Sequence, residues 1–284
     1  MRRRRRIRVP ASSANLGPGF DVLAAALAMH IEVEVVETGR FSVSTDLSIA
    51  RDRRNLVVRG FARLHAPDAF EFRITSNIPL SGGLGTSAAA YVAGLLAADS
   101  IFELDADVLA LAAELEGHGD NVAAALLGGF VVSADGRAER FDPPAGLEAV
   151  LVVPHRHVRT AKARAALPAE VPMGDAVFNV AHASLLVLGL AQNRLDLVAR
   201  GLADRLHQPR RAALYPESLA LLARATEFGA LGATISGAGP SVLVWSVYDA
   251  TAGVVERLRA EVDGWAEVMR VPFEPQGADV RALT

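Results

Sequence analysis

The sequence predicts an α+β protein in two parts, and three observations predict it. Strand-like and helix-like segments are mixed without the regular strand–helix–strand period of a doubly wound sheet. Hydrophobic residues make up 51% of the 284, enough for a sizeable core. A turn-rich stretch, Asp142-Pro143-Pro144-Ala145-Gly146, interrupts the pattern near the middle, which divides the chain into parts at 1–148 and 149–284.

Taken in order, residues 6–10 and 31–37 alternate apolar and polar side chains, as half-buried strands do, and residues 70–76 repeat the pattern. Residues 85–98 are small and apolar all round, which predicts a buried helix. Residues 107–116 carry apolar side chains at helical spacing. Strands follow at 129–134 and 149–154. The second half predicts helices over 175–191, 194–204, 216–228 and 250–262, with strands near Ala233 and over 242–247 and 265–271.

Composition excludes several function classes. A formal net charge of -3 argues against general nucleic-acid affinity. The basic run from Arg2 to Arg6 reads as a frayed, solvated terminus. Without cysteine there are no disulfides, thiolate metal sites or thiol nucleophile, which fits a reducing cytoplasm. The N-terminus lacks a secretory pattern. The best candidate membrane segment, 180–191, is short and contains His182, so no membrane span is expected.

Three glycine-rich loops carry the candidate chemistry. The central one is Pro79-Leu80-Ser81-Gly82-Gly83-Leu84-Gly85-Thr86-Ser87-Ala88-Ala89, between a strand and a helix of small residues. Glycines let backbone N–H groups approach an anion, and the helix start adds partial positive charge. Thr86 and Ser87 bring hydroxyls to the first turn. The loop lacks Walker spacing and its lysine, Lys162 being the sole lysine. By itself it reads equally as an anion cradle or as an ordinary strand-to-helix turn. A second loop, residues 10–21, offers Asn15 and Asp21 from a Gly/Pro-rigid turn. An Asp can grip an ammonium group or merely cap a helix. The third, residues 232–241 and including Gly239, reads as a tight hairpin or as a close approach to a ligand. His155 and His157 read as a strand-end surface pair.

Together and in this order, the three loops resemble those of the GHMP kinases, and PASSANLGPGFD resembles the homoserine kinases among them. EGHGDNVAAALLGG at 116–129 and HQPRR at 207–211 are similar to that family's EGHPDNVAPALLGG and HQPYR segments. The chain departs from PxGSGLGSSAA, with Gly83 read at a usual serine, and Gly119 stands for a usual Pro.

The resemblance implies a ribosomal protein S5 domain 2-like N-terminal ATP-binding domain and a ferredoxin-like C-terminal domain, with the site between them. It implies transfer of the γ-phosphoryl of ATP to the hydroxyl of L-homoserine, with Mg²⁺, on the route to threonine. Residues 79–89 would hold ATP. Ser87 and Glu114 would hold the metal, with Glu116 as second choice. Asp21 would take the ammonium, and Arg211 and Arg164 the carboxylate. Asn15, His118, Asn121 and Gly239 would line the substrate site. Asp120 is the carboxylate of the HGDN turn, although homoserine kinases are thought to work without a general base. A cytoplasmic homodimer completes the expectation. Another GHMP kinase, or a ligand sensor on the same scaffold, are the alternatives.

Overall fold

The computed structural model describes residues 3–80 and 82–283, and the elements named below are those of these residues. Two long antiparallel strands open the fold, β1 (Arg4–Ala14) and β2 (Leu23–Glu37), with Val9 opposite Ile31 and a register shift between Pro10 and Ala11. Both outrun their predicted lengths. Arg4 and Arg6 lie inside β1 and pair with Glu34 (2.9 Å) and Glu32 (3.1 Å) of the neighbouring strand. The basic run is therefore not a frayed terminus from Arg4 onward, because opposite charges across a strand pair stabilise it. Arg2 lies outside the described residues.

The chain continues through β3 (Ser42–Ser44), α1 (Leu56–Ala62) and β4 (Phe70–Ser76). Next come α2 (Thr86–Phe102), α3 (Val108–Glu116), α4 (Asp120–Leu127), β5 (Phe130–Ala134) and β6 (Arg137–Phe141). The first sheet runs β1–β2–β4–β3, with β5 joined to β2 and β6 to β5. α2 is buried on nearly every side because its small residues let backbones meet. A Cβ at Gly94 would lie 2.0 Å from the Val57 carbonyl oxygen of α1.

The second part contains β7 (Leu147–Pro154), α5 (Thr160–Ala165), α6 (Met173–Ala191), α7 (Leu195–Gly201) and α8 (Pro216–Ala223). It then adds β8 (Gly232–Ile235), β9 (Val242–Val247), α9 (Tyr248–Glu261) and β10 (Ala266–Arg270). Its sheet has the order β10–β7–β9–β8 with antiparallel pairs throughout, which is the ferredoxin-like order. The helix predicted to run to Asp204 stops at Gly201, where the chain crosses α6 closely. The one predicted over 216–228 changes to a 3₁₀ turn at Ala225–Phe228.

Two features depart from the expected division at 148/149. β7 begins at Leu147, and the tail returns to the first sheet, where β11 (Asp279–Ala282) pairs antiparallel with β1. Phe273 of that tail packs on Phe130 of the first sheet (4.7 Å between ring centres) and Trp245 of the second (5.4 Å). Trp245 is fully buried, so one hydrophobic core continues across both parts and fixes the cleft between them.

α6 starts earlier than the 180–191 segment. At 19 residues it is long and apolar enough to cross a membrane by length and composition alone. It packs against α7 and exposes Met173, Val177 and Val180.

Candidate active site

The three glycine loops meet at one end of this cleft. Loop residues 15–21 follow β1, residues 79–85 lead into α2, and residues 236–241 join β8 to β9. Hydrogen bonds tie them together. Asn15 Nδ2 donates to the Gly237 carbonyl (2.7 Å), Ser236 Oγ to the Gly83 carbonyl (2.7 Å), and Ser12 N to the Leu84 carbonyl (3.1 Å). The α3–α4 junction at residues 116–121, α5, and a 3₁₀ turn at Pro209–Leu214 complete the walls. The cleft holds about 730 Å³, the size of a small-molecule site.

Gly85, whose φ is +65°, stands at the N-cap of α2. No side chain caps this helix, so the N–H groups of its first turn open toward the cleft. A Cβ at Gly85 would lie 2.0 Å from Ser12 Oγ. That serine is fully buried and donates to Asn121 Oδ1 (2.8 Å). Accepting this bond fixes the Asn121 amide, which lines the cleft beside Gly85. Leu80, residues 82–87 and Ala90 also line it. Ala88 and Ala89, expected in the ATP loop, are fully buried on the core face of α2. Pro79 serves the turn, its carbonyl accepting from Thr86 Oγ1 (3.3 Å). Ser81 lies outside the described residues.

The serine expected at position 83 cannot stand there. Gly83 has φ +77°, and a Cβ would meet the Ser236 carbonyl oxygen at 2.3 Å. Aligned on Pro79 and Leu84, the pattern's serine falls at Gly82, where a Cβ would touch only Ser241 Oγ at 3.0 Å and Leu84 beyond it.

The carboxylate facing Ser87 is Glu116 rather than Glu114. Ser87 Oγ donates to Glu116 Oε1 (2.5 Å), while Glu114 pairs with Arg63 on the outer surface (3.0 Å). Two positions apart on a helix point about 200° apart, so only one of the two can face inward. Burial holds the Glu116 carboxyl above its usual range. His118 stands between two carboxylates, its Nδ1 2.7 Å from Asp120 and its Nε2 3.8 Å from Glu116. The hydrogen bond that Asp120 accepts raises the His118 pKa. Asp120 is 1% exposed, and the same oxygen also accepts from Asn121 N–H (2.7 Å). It braces the turn through that oxygen and lines the cleft.

On the opposite wall, Arg211 is 1% exposed. Its Nε donates to the Ala163 carbonyl (3.0 Å) and its Nη1 to the Gly237 carbonyl (3.2 Å) and to His207 Nδ1 (3.1 Å). Among the described residues it has no carboxylate partner, and burial lowers its pKa. Asp21 and Arg164, expected to take opposite ends of a substrate, instead pair with each other through two hydrogen bonds of 2.8 and 2.9 Å. Asn15 uses both ends of its amide as a brace, its Oδ1 accepting from Asp21 N–H (3.0 Å). Gly239 lines the cleft, whereas His155 and Glu114 stay outside it. His157 lies on its rim, at the edge of the same cleft.

A second arm of the cleft was not foreseen from the sequence. Leu47, Ile49, Leu56 and Val57 form an apolar wall near the start of α1, with Ser48, Arg54 and Asn55 at its edge. Asn55 caps α1 and holds Ala50 through its amide. The only signal available was the N-cap Asn55 before an apolar run.

Comparison with known proteins agrees with this geometry. The GHMP kinases N terminal domain matches residues 55–129 and the GHMP kinases C terminal domain matches residues 186–263. The homoserine kinase of Gloeobacter violaceus is 43% identical, covering 87% of this chain and 89% of its own. That of Streptomyces coelicolor is 42% identical over 98% and 94%. The crystal structure of homoserine kinase from Cytophaga hutchinsonii superposes with a TM-score of 0.87 at 31% identity, covering 98% of this chain and 97% of that one. The chain belongs to the homoserine kinase family of the GHMP kinases.

Proposed function

We propose that the chain transfers the γ-phosphoryl group of ATP to the side-chain hydroxyl of L-homoserine. The observation that carries the reading is Arg211, a buried guanidinium held by neutral groups and lining the cleft together with Asp21. A buried cation without an anion is costly, and a substrate carboxylate completes it. Asp21 receives the ammonium as its pairing with Arg164 opens. These two anchors select a zwitterionic alcohol over a sugar or an isoprenoid acid.

The triphosphate lies over residues 82–87, where main-chain N–H groups and the α2 dipole take the place of a P-loop lysine. The apolar arm near Leu47 and Leu56 suits the adenine ring. Ser87 and Glu116 present adjacent oxygens of the kind that hard cations prefer, so they are the residues that would hold Mg²⁺. When bound, the ion neutralises phosphate charge. The hydroxyl oxygen forms the new bond to phosphorus as the bond to ADP breaks, and its proton passes to a phosphoryl oxygen. Asn121, fixed by Ser12, orients the hydroxyl, and His118, fixed by Asp120, offers a hydrogen bond beside it. The cytoplasm and a homodimer belong to the same reading, and light scattering tests the latter.

ATP turnover measured against homoserine, mevalonate and galactose tests the assignment. Stimulation by homoserine alone is expected; stimulation by either other alcohol, with none by homoserine, rejects it.

A further inference from the structure

Phe20 stands beside Asp21 in the first glycine loop and lines the cleft, half-buried. Its ring centre lies 5.7 Å from the Arg164 guanidinium carbon and 5.6 Å from that of Arg211. Both distances fall within the reach of a cation–π interaction. The His207 ring lies 5.3 Å away on another side, and His207 Nδ1 is in turn 3.1 Å from Arg211 Nη1. One aromatic ring therefore neighbours Arg164, Arg211 and His207 together.

Two guanidinia on one wall repel each other. Asp21 hydrogen-bonds Arg164 and also lends its charge to Arg211, but only while no substrate ammonium competes for it. Arg211 has neutral partners among the described residues. Once an ammonium draws Asp21 away, the ring of Phe20 is a neutral group with negative potential that lies within reach of both cations.

We propose that Phe20 is a positioning residue for substrate selection, holding Arg164 and Arg211 together so that they act on one carboxylate. The proposal rests on the reading of the substrate as an amino-acid alcohol. When the ammonium of such a substrate draws Asp21 away, the ring keeps Arg164 beside Arg211 rather than releasing it to solvent. An aliphatic side chain of similar bulk could fill the space but could not supply the quadrupole.

Two substitutions separate these roles. Phe20→Leu keeps an apolar side chain and removes the π face, while Phe20→Tyr keeps the ring. The enzyme is assayed with ATP and L-homoserine, and its thermal midpoint is followed in parallel. Phe20→Leu is expected to raise KM for homoserine about tenfold. Its kcat and its KM for ATP are expected within about twofold of the parent, and Phe20→Tyr is expected to restore most of the affinity. Parent-like homoserine kinetics in Phe20→Leu would overturn the proposal. So would an equal loss in both variants accompanied by a lowered thermal midpoint, which marks simple packing. Those results leave the substrate reading intact, because the parent still responds to homoserine. A parent that gives no homoserine-dependent turnover defeats the substrate reading first, and this proposal with it.

Discussion

The carboxylate of Asp21 and the guanidinium of Arg164 face each other fork to fork, 143 residues apart in sequence and on opposite parts of the fold. Each is the natural partner of one end of an amino acid. The pair keeps these two charges mutually satisfied, and a zwitterion that binds must exchange one ion pair for two. Residue 21 adopts φ +56°, a left-handed backbone that an aspartate tolerates better than most side chains, which aims the carboxylate inward.

Asp21→Asn removes the ammonium partner and leaves Arg164 without its anion. KM for homoserine is expected to rise about 10- to 100-fold, since a charge-assisted hydrogen bond contributes roughly 1.5–3 kcal/mol. KM for ATP is expected to stay within about twofold, which steady-state kinetics with each substrate varied in turn will show.

Gly85→Ala forces a left-handed alanine against Ser12 and disturbs the hold on Asn121. We expect a loss of about 1–3 kcal/mol in urea unfolding together with at least tenfold lower turnover. Gly136 is the matched control: its φ is +72° but nothing lies within 4 Å of an added Cβ. Gly136→Ala should cost only the backbone strain, about 1–2 kcal/mol, with activity unchanged.

Glu116→Gln and Glu114→Gln distinguish the inner from the outer carboxylate. Turnover of the first is expected to fall about 100-fold, as the oxygen beside Ser87 loses its charge. Glu114→Gln breaks only an exposed ion pair worth about 0–1 kcal/mol, and its turnover should match the parent. Initial rates at saturating ATP and homoserine measure both.

Much of this site was legible because glycine and charge leave local marks. Residues 82–87, Asp21 and Arg211 all line the cleft, the first drawn out by its glycine pattern and the other two only by the family resemblance. What could not be read is what depends on distant partners. Ser12 matters only because the fold brings Asn121 to it across 109 residues. Glu114 and Glu116 are equally plausible until the end of α3 sets which one faces Ser87. Ala88 and Ala89 belong to the loop in sequence, but the helical turn carries them into the core. The tail strand β11 has no strong period of its own, and pairing with β1 creates it. The apolar arm comes from residues 47–57, a stretch without glycine or a recognisable motif.

His207 gives the fold a pH dependence. It is fully buried, donating from Nε2 to the Gly17 carbonyl (2.8 Å) and accepting at Nδ1 from Arg211. A second proton would face the Arg211 guanidinium, and burial already lowers its pKa below 6.5. The unfolded chain therefore takes up a proton that the native one refuses. Stability is full above about pH 6.5 and falls as pH drops, by up to about 1.4 kcal/mol per unit for this one proton. Urea midpoints from pH 7.5 to 5 should show the fall, and His207→Gln, though less stable at pH 7.5, should show a shallower one.

The most direct test is a crystal structure with a non-hydrolysable ATP analogue and L-homoserine. The account predicts phosphate density against the backbone N–H groups of residues 82–87 at the start of α2, with the homoserine carboxylate on Arg211. Phosphates bound elsewhere, with no contact to that turn and Arg211 bare, would contradict it.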